Sequence, residues 1–270
     1  MNNINTVRGD VTDSLEVTRF DAEFLVTVAA RELAGKRRVF AGVGLPTLAV
    51  DLAQRRFEPN LEMVYESGVC GAHPEGLAEG IADSVLVSGS ESVLNMQALF
   101  GYVLQGGNVD VGFLGAAQVD RWGNLNTSFI GDPKNPKVRL PGSGGAADIM
   151  ASAGEIIVIL RRHDLSALPA EVDFCTSPSP VRAREKDPNV PVNGFGVSTV
   201  ITPLGILRRP DRYGELELAE IFPGVEFDEV HAGTGWDLKV SENLRTTAQP
   251  SQEDVALLQQ QIDPDRFYLR

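Results

Sequence analysis

In "VYESGVCG", residues 64–71, a carboxylate stands where an apolar run meets glycine, and two further clusters, "AGVGLP" at 41–46 and "PGSGGAAD" at 141–148, bring more glycines together. Glu66 can be a functional carboxylate at the rim of a sheet, or it can be a solvated loop carboxylate. Glycines that open a helix lack Cβ atoms, so backbone N–H groups near Gly145 and Ala146 can converge on one oxygen. The same residues read equally as a tight strand-to-helix connection. Neither glycine cluster completes GxGxxG or a Gly-Lys-Ser/Thr ending, which ranks nicotinamide and nucleoside-triphosphate readings low. His73, His163 and His231 show no metal-site spacing, and no G-x-S-x-G elbow marks a serine hydrolase. Cys70 lies four residues from Glu66, but a free cysteine more often fills space.

These residues need elements to hold them. Phe24, Leu25, Val28 and Ala29 share one helical face, predicting a helix from Phe20 to about Ala34 that stops at Gly35. "RVFAGV" reads as a buried strand, and Pro46 suits the first turn of a helix over "TLAVDLAQRR". "LEMVY" predicts a strand that delivers Glu66 to the rim of a sheet, where open α/β folds collect ligands. "DSVLVSG", "VDVGFLGAAQVD" and "EIIVIL" read as further strands, "SVLNMQALFGYVLQGG" as a helix, and Gly123-Asn124 as a turn. After Leu160 a Pro- and charge-rich stretch predicts an irregular excursion. "VSTVITPLGILRR" and "RYGELELAEIFPG" follow as strands, then a short helix capped near Ser251 or Gln252. Alternating strands and helices predict an α/β fold with an open, largely parallel sheet flanked by helices. No linker is evident, so residues 1–270 read as one domain with a polar, adaptable segment at 1–19.

Composition narrows the partners. Among 270 residues, 24 Lys and Arg face 37 Asp and Glu, a formal net charge of −13, which disfavours nucleic acid or an anionic membrane as a general partner. A small anionic ligand stays open, because a local nest of N–H groups binds anions on an acidic protein. The two cysteines make no disulfide framework, and no apolar run reaches the ~18 residues of a membrane span. The first residues lack a signal peptide's pattern. A cytoplasmic location is the expectation.

Taken in order, "VGLP", "VYESG", "GGNVDVGFLGAAQVDRWGNLNTSFIGD", "PKVRLPGSGGAADI" and "TSP" closely resemble the β subunit of family I CoA-transferases, especially the glutaconate and 3-oxoadipate branch. The resemblance runs from about residue 24 to "IDPDRF". It implies the CoA-transferase (NagB/RpiA-like) fold, with Glu66 as the catalytic glutamate and Gly144, Gly145 and Ala146 as the loop whose amides hold the reacting oxygen. It further implies a separate α subunit, an acyl-CoA and a carboxylic acid as substrates, and no metal or added cofactor. A glutamate with a reference pKa near ~4.3 is ionised at neutral pH and needs no helper base. The implied reaction is ping-pong, through a glutamyl-CoA thioester on Glu66. "YESG", where some members carry "SENG", points to the dicarboxylate-handling branch.

Two rivals use the same scaffold. CoA-thioester hydrolases and glutaconyl-CoA-type decarboxylases of this fold typically lack the glutamate here, so Glu66 favours transfer. A non-catalytic ligand-sensing module related to sugar-phosphate isomerases would need a phosphate loop, and often a DNA-binding segment.

Overall fold

The computed structural model describes residues 20–74, 76–190 and 192–270. The 1–19 segment, expected to be adaptable, lies outside the described residues. Helix α1 (Ala22–Arg31) starts at Asp21, whose side chain accepts from Phe24 N, and leads to strand β1 (Arg38–Ala41). Helix α2 (Leu45–Arg56) begins at Gly44 with Pro46 in its first turn, as expected, and strand β2 (Glu62–Val64) follows. Strands β3 (Val69–Cys70) and β4 (Ser92–Val93) come next, then a single helical turn α3 (Met96–Ala98) that runs on as a π-helical segment, Leu99–Leu104. Strand β5 (Val111–Gly115) precedes two hairpins, β6 (Gln118–Val119) with β7 (Leu125–Asn126) and β8 (Phe129–Asp132) with β9 (Asn135–Arg139). Helix α4 (Ala146–Ser152), strand β10 (Glu155–Ile159), helix α5 (Pro180–Lys186) and strands β11 (Val197–Ile201), β12 (Gly205–Arg208) and β13 (Glu217–Ile221) follow. Helix α6 (Phe227–Ala232), strand β14 (Val240–Thr246) and helix α7 (Gln252–Leu257) follow, α7 starting on a capping box at Ser251 and Asp254 and running on as a π-helical segment, Leu258–Ile262.

Ten strands form one sheet in the order β14-β13-β12-β11-β10-β5-β1-β2-β3-β4. Strands β2, β1, β5, β10 and β11 run parallel; on one side β12 pairs antiparallel with both β11 and β13 while β14 joins β13 in parallel, and on the other β3 and β4 add antiparallel pairs. β5 and β10 are near-continuous apolar runs because both faces are covered, and β11 is buried throughout although it carries Ser198 and Thr199. Val39, Phe40, Val111, Phe113, Ile156 and Val158 are each at most 2 % exposed. Chain direction switches between β1 and β5: the chain leaves β1 for β2 on one side and returns to β5 on the other. Such a switch point opens a crevice at the carboxyl ends of the strands.

Two expectations are corrected. "DSVLV" is a 3-10 turn over Ser84–Val87 and not a strand, because Asp83 accepts from Glu79 N and Val85 N and curls the backbone. The helix expected across 92–107 is broken into β4, α3 and the π-helical segment, whose buried residues Leu99 and Leu104 stand five apart. The irregular excursion after Leu160 contains α5, capped by Ser179. No helix among the described residues is long and apolar enough to cross a membrane.

Candidate active site

Glu66 lies at the tip of a hairpin between β2 and β3. Tyr65 N donates to Val69 O and Gly68 N to Tyr65 O, both at 2.9 Å, so a half-buried Glu66 and an exposed Ser67 form the end of the turn. Gly68 has φ +100°, and a Cβ there would stand 1.9 Å from the Leu94 carbonyl oxygen. Only glycine combines that dihedral with that approach. The parallel register pairs Phe40 with Val64, which sets Glu66 level with Gly42, at the carboxyl edge of the sheet.

The glycine loop meets the carboxylate there. A Cβ on Gly144 would stand 3.3 Å from Glu66 Oε2, and one on Gly145 would stand 3.3 Å from Oε1 and 2.7 Å from Phe100 Cζ. Phe100 in turn packs edge-on against Phe40, ring centroids 5.8 Å apart. The structure thus brings together Glu66, Gly144 and Gly145, residues nearly eighty positions apart in the chain. Ala146 N–H donates to Ser143 O at 2.9 Å, whereas Gly144 and Gly145 N–H donate to no backbone carbonyl among the described residues. The Glu66 carboxylate likewise has no hydrogen-bond partner among them.

Other candidates stay apart from this cluster. Cys70 is buried in β3 with its thiol pushed up by burial, which disfavours a thiolate. His163 is held by Thr202 and Val230, His231 faces Asp237, and His73 is exposed. Tyr65, next to Glu66, turns into the core, and burial pushes its phenol up to about 12.

A set of buried polar side chains shapes the site and was not singled out from the sequence. Asn126 Nδ2 donates to Gln118 Oε1 (2.8 Å) and Phe129 O (2.7 Å), and its Oδ1 accepts from Ser128 N (3.0 Å). That fixes residues 127–128, to which the loop carrying Gly144 is tied: Leu140 N donates to Ser128 O and Gly142 N to Thr127 O. Asp120 accepts from Trp122 N, Asn124 N and Asn124 Nδ2, and Asn124 Oδ1 accepts from Ser179 N. Burial pushes the Asp120 carboxyl up, against these hydrogen bonds. The only signal in the sequence was an unusual density of Asn, Gln and Asp between apolar residues.

One strand along from Glu66, a cavity of about 560 Å³ opens over the switch point. Val43, Leu45, Ala116, Val138, Leu140 and Ile159 line it, with Arg161 and Arg162 at one end.

Residues 25–233 match the family model for Coenzyme A transferase. The chain is 38 % identical to the β subunit of 3-oxoadipate CoA-transferase from Pseudomonas knackmussii, over 87 % of this chain and 90 % of that one. Its fold superposes on the crystal structure of glutaconate coenzyme A-transferase from Acidaminococcus fermentans with a TM-score of 0.83 and 26 % identity, covering 94 % of this chain and 98 % of that one. The decarboxylase AibA/AibB superposes with a TM-score of 0.75 and 27 % identity, over 92 % and 96 % of the two chains. A model match over most of its length, a relative of this identity and one common architecture place the chain in the coenzyme A transferase family.

Proposed function

We propose that this chain is the β subunit of a CoA-transferase and that Glu66 carries CoA between two carboxylic acids. The carrying observation is the unpartnered Glu66 carboxylate set against Gly144 and Gly145 at the carboxyl edge of the sheet. A Glu66 oxygen attacks the thioester carbonyl, the C–S bond breaks, and CoA leaves as thiolate with a mixed anhydride on the enzyme. The thiolate attacks the glutamyl carbonyl, the anhydride C–O bond breaks, and the first acid departs as carboxylate. A glutamyl-CoA thioester remains. The second acid's carboxylate attacks that thioester, and the same two steps run in reverse. Each cycle returns Glu66 as carboxylate with no net change of protons or electrons.

Each addition puts negative charge on a carbonyl oxygen. Gly144 and Gly145 N–H are the donors free to meet it, and one such donor is worth ~2.7–4 kcal/mol in the transition state. Anhydride and thioester both hydrolyse, so water must be kept out. Phe100 and Phe40 cover one side of the site. The rest falls to a second polypeptide, a division of labour supported by the Pseudomonas relative, which is itself one subunit of its enzyme. The relatives' names, 3-oxoadipate and glutaconate, support a dicarboxylic acid as substrate.

The test is the intact mass of the chain, co-purified with its α subunit and incubated with succinyl-CoA and with glutaconyl-CoA. Borohydride traps the thioester, and Glu66→Gln is the control. A CoA adduct on Glu66 that is missing from the control is the expected result. Consumption of acyl-CoA without an adduct, with Glu66→Gln still active, would replace transfer by hydrolysis or decarboxylation.

A further inference from the structure

Gly145 has φ −83° and ψ 5°, angles that ordinary residues adopt at the second central position of a type I turn, so its backbone does not call for glycine. Space does. A Cβ there would stand 2.7 Å from Phe100 Cζ and 2.9 Å from Cε1, so the ring fills the place a side chain would take. We infer that Phe100 is a positioning residue for the transfer reaction. Its ring bears on the Gly145 α-carbon and sets the aim of the Gly144 and Gly145 N–H groups toward the oxygen they stabilise. This rests on the transferase reading above and adds to it what holds the two donors in place.

The donors need such a support. The loop is tied upstream, where Leu140 N and Gly142 N donate to Ser128 O and Thr127 O, and downstream, where Gly145 O accepts from Ile149 N. Between these ties the Gly144 and Gly145 N–H groups take no backbone bond among the described residues, so packing must fix their direction. A hydrogen bond weakens steeply as its angle closes, and a preorganised donor acts without realignment at the moment of reaction.

The mounting of Phe100 joins both halves of the site. Leu94 N donates to Gly68 O at 2.9 Å, in the turn that carries Glu66. The next residue, Asn95, caps α3 by accepting from Ala98 N at 2.8 Å. Glu66 and Phe100 thus stand on segments that meet at one backbone contact. In the π-helical segment Gln105 N donates to Phe100 O, a bond that brings residues five apart to nearly one face. Leu99 and Leu104, both fully buried, anchor that face in the core. Phe100 follows Leu99 and packs against Phe40 of β1, while Gly101 and Tyr102 are exposed. The ring is bounded by the buried sheet and by Gly145, and moving it moves the loop.

The test is a double-mutant cycle in the complex with the α subunit: wild type, Phe100→Leu, Gly145→Ala and the two together, with succinyl-CoA as donor. Leucine lacks the Cζ and Cε atoms that reach Gly145. Phe100→Leu alone should lower kcat by ~10-fold and leave KM within about two-fold, the mark of an interaction made only in the transition state. In the Gly145→Ala chain the same change should raise kcat by ~10-fold, because it removes the clash, a reversal of sign that only coupled residues show. The 3.3 Å approach of the new methyl to Glu66 Oε1 keeps that recovery partial. Equal losses in both backgrounds would overturn the inference. So would an unchanged kcat with a lower denaturant midpoint, which makes the ring packing alone, or an unchanged kcat with faster hydrolysis of the donor, which makes it a shield against water. Phe100→Met, close in volume, carries the same expectations where Phe100→Leu fails to fold. A wild-type complex that transfers no CoA removes the transferase reading, whereas one that transfers CoA with additive losses overturns this inference alone.

Discussion

Gly145 stands so close to Glu66 that a methyl group on its α-carbon would lie 3.3 Å from a carboxylate oxygen and 2.7 Å from the ring of Phe100. The second contact is too short to keep, so Gly145→Ala must push the ring or the loop aside. A shift of about 1 Å at a reacting centre costs ~10²-fold in rate. We expect kcat to fall by that order, with a loss of about 1–3 kcal/mol in stability from overpacking. Steady-state kinetics beside denaturant unfolding separate the two effects.

Tyr65→Phe should leave both quantities nearly untouched. The hydroxyl is buried and has no hydrogen-bond partner among the described residues, while the nearby Thr47 hydroxyl donates to Gly42 O. With its pKa pushed up to about 12 by burial, the phenol stays neutral across the working range. Removing an unsatisfied polar atom should change stability by less than ~1 kcal/mol and leave kcat unchanged. A large loss of activity would show that Tyr65 reaches the chemistry.

Asn126→Ala tests the support under the glycine loop. It strips partners from Gln118 Oε1, Phe129 O and Ser128 N, in a region where Asn126 is fully buried. Unfolding free energy should drop by about 3 kcal/mol. Because Leu140 and Gly142 hang from residues 127–128, kcat should drop as well, measured at a temperature where the variant is still folded.

Stability should also depend on pH through His163. Burial pushes its imidazole below the usual value, against the opposing pull of the Val230 carbonyl and Asp164. The folded state thus favours the neutral ring, while the unfolded chain takes up a proton near pH ~6.5. The stabilisation is complete above that pH and is lost as pH falls through the depressed folded value, at no more than ~1.4 kcal/mol per pH unit. His163→Gln should flatten the curve of unfolding free energy below about pH 6.5.

Much of this arrangement could be read before the structure. The buried strands β1, β5 and β10 are marked by apolar runs, and Glu66 and the glycine loop by charge after an apolar run and by clustered glycine. Residue type alone leaves both open to a structural reading, and the family resemblance gives them their chemical one. Other features depend on tertiary or fine local geometry. The hairpin under Glu66 is fixed by Gly68 packing on Leu94, and no local pattern names Leu94. The four residues of "SVLV" fit a strand as well as a 3-10 turn, and the hydrogen bonds to Asp83 decide between them. Hairpin β6–β7 hides in a polar stretch because its stabilising partners, Gln118 with Asn126 and Asp120 with Asn124, are polar groups satisfied inside the fold.

The turn that carries Glu66 is framed by backbone bonds of Tyr65, Gly68 and Val69, and the Glu66 side chain takes no part in that frame. Foldability and reactivity are therefore inherited separately at this point. Under the proposed mechanism, an exchange at the tip alters what is presented to a thioester without costing the scaffold its shape. A sheet built this way can keep its architecture while lineages trade one reaction for another, and the superposition with the decarboxylase AibA/AibB shows one architecture appearing under a different reaction name.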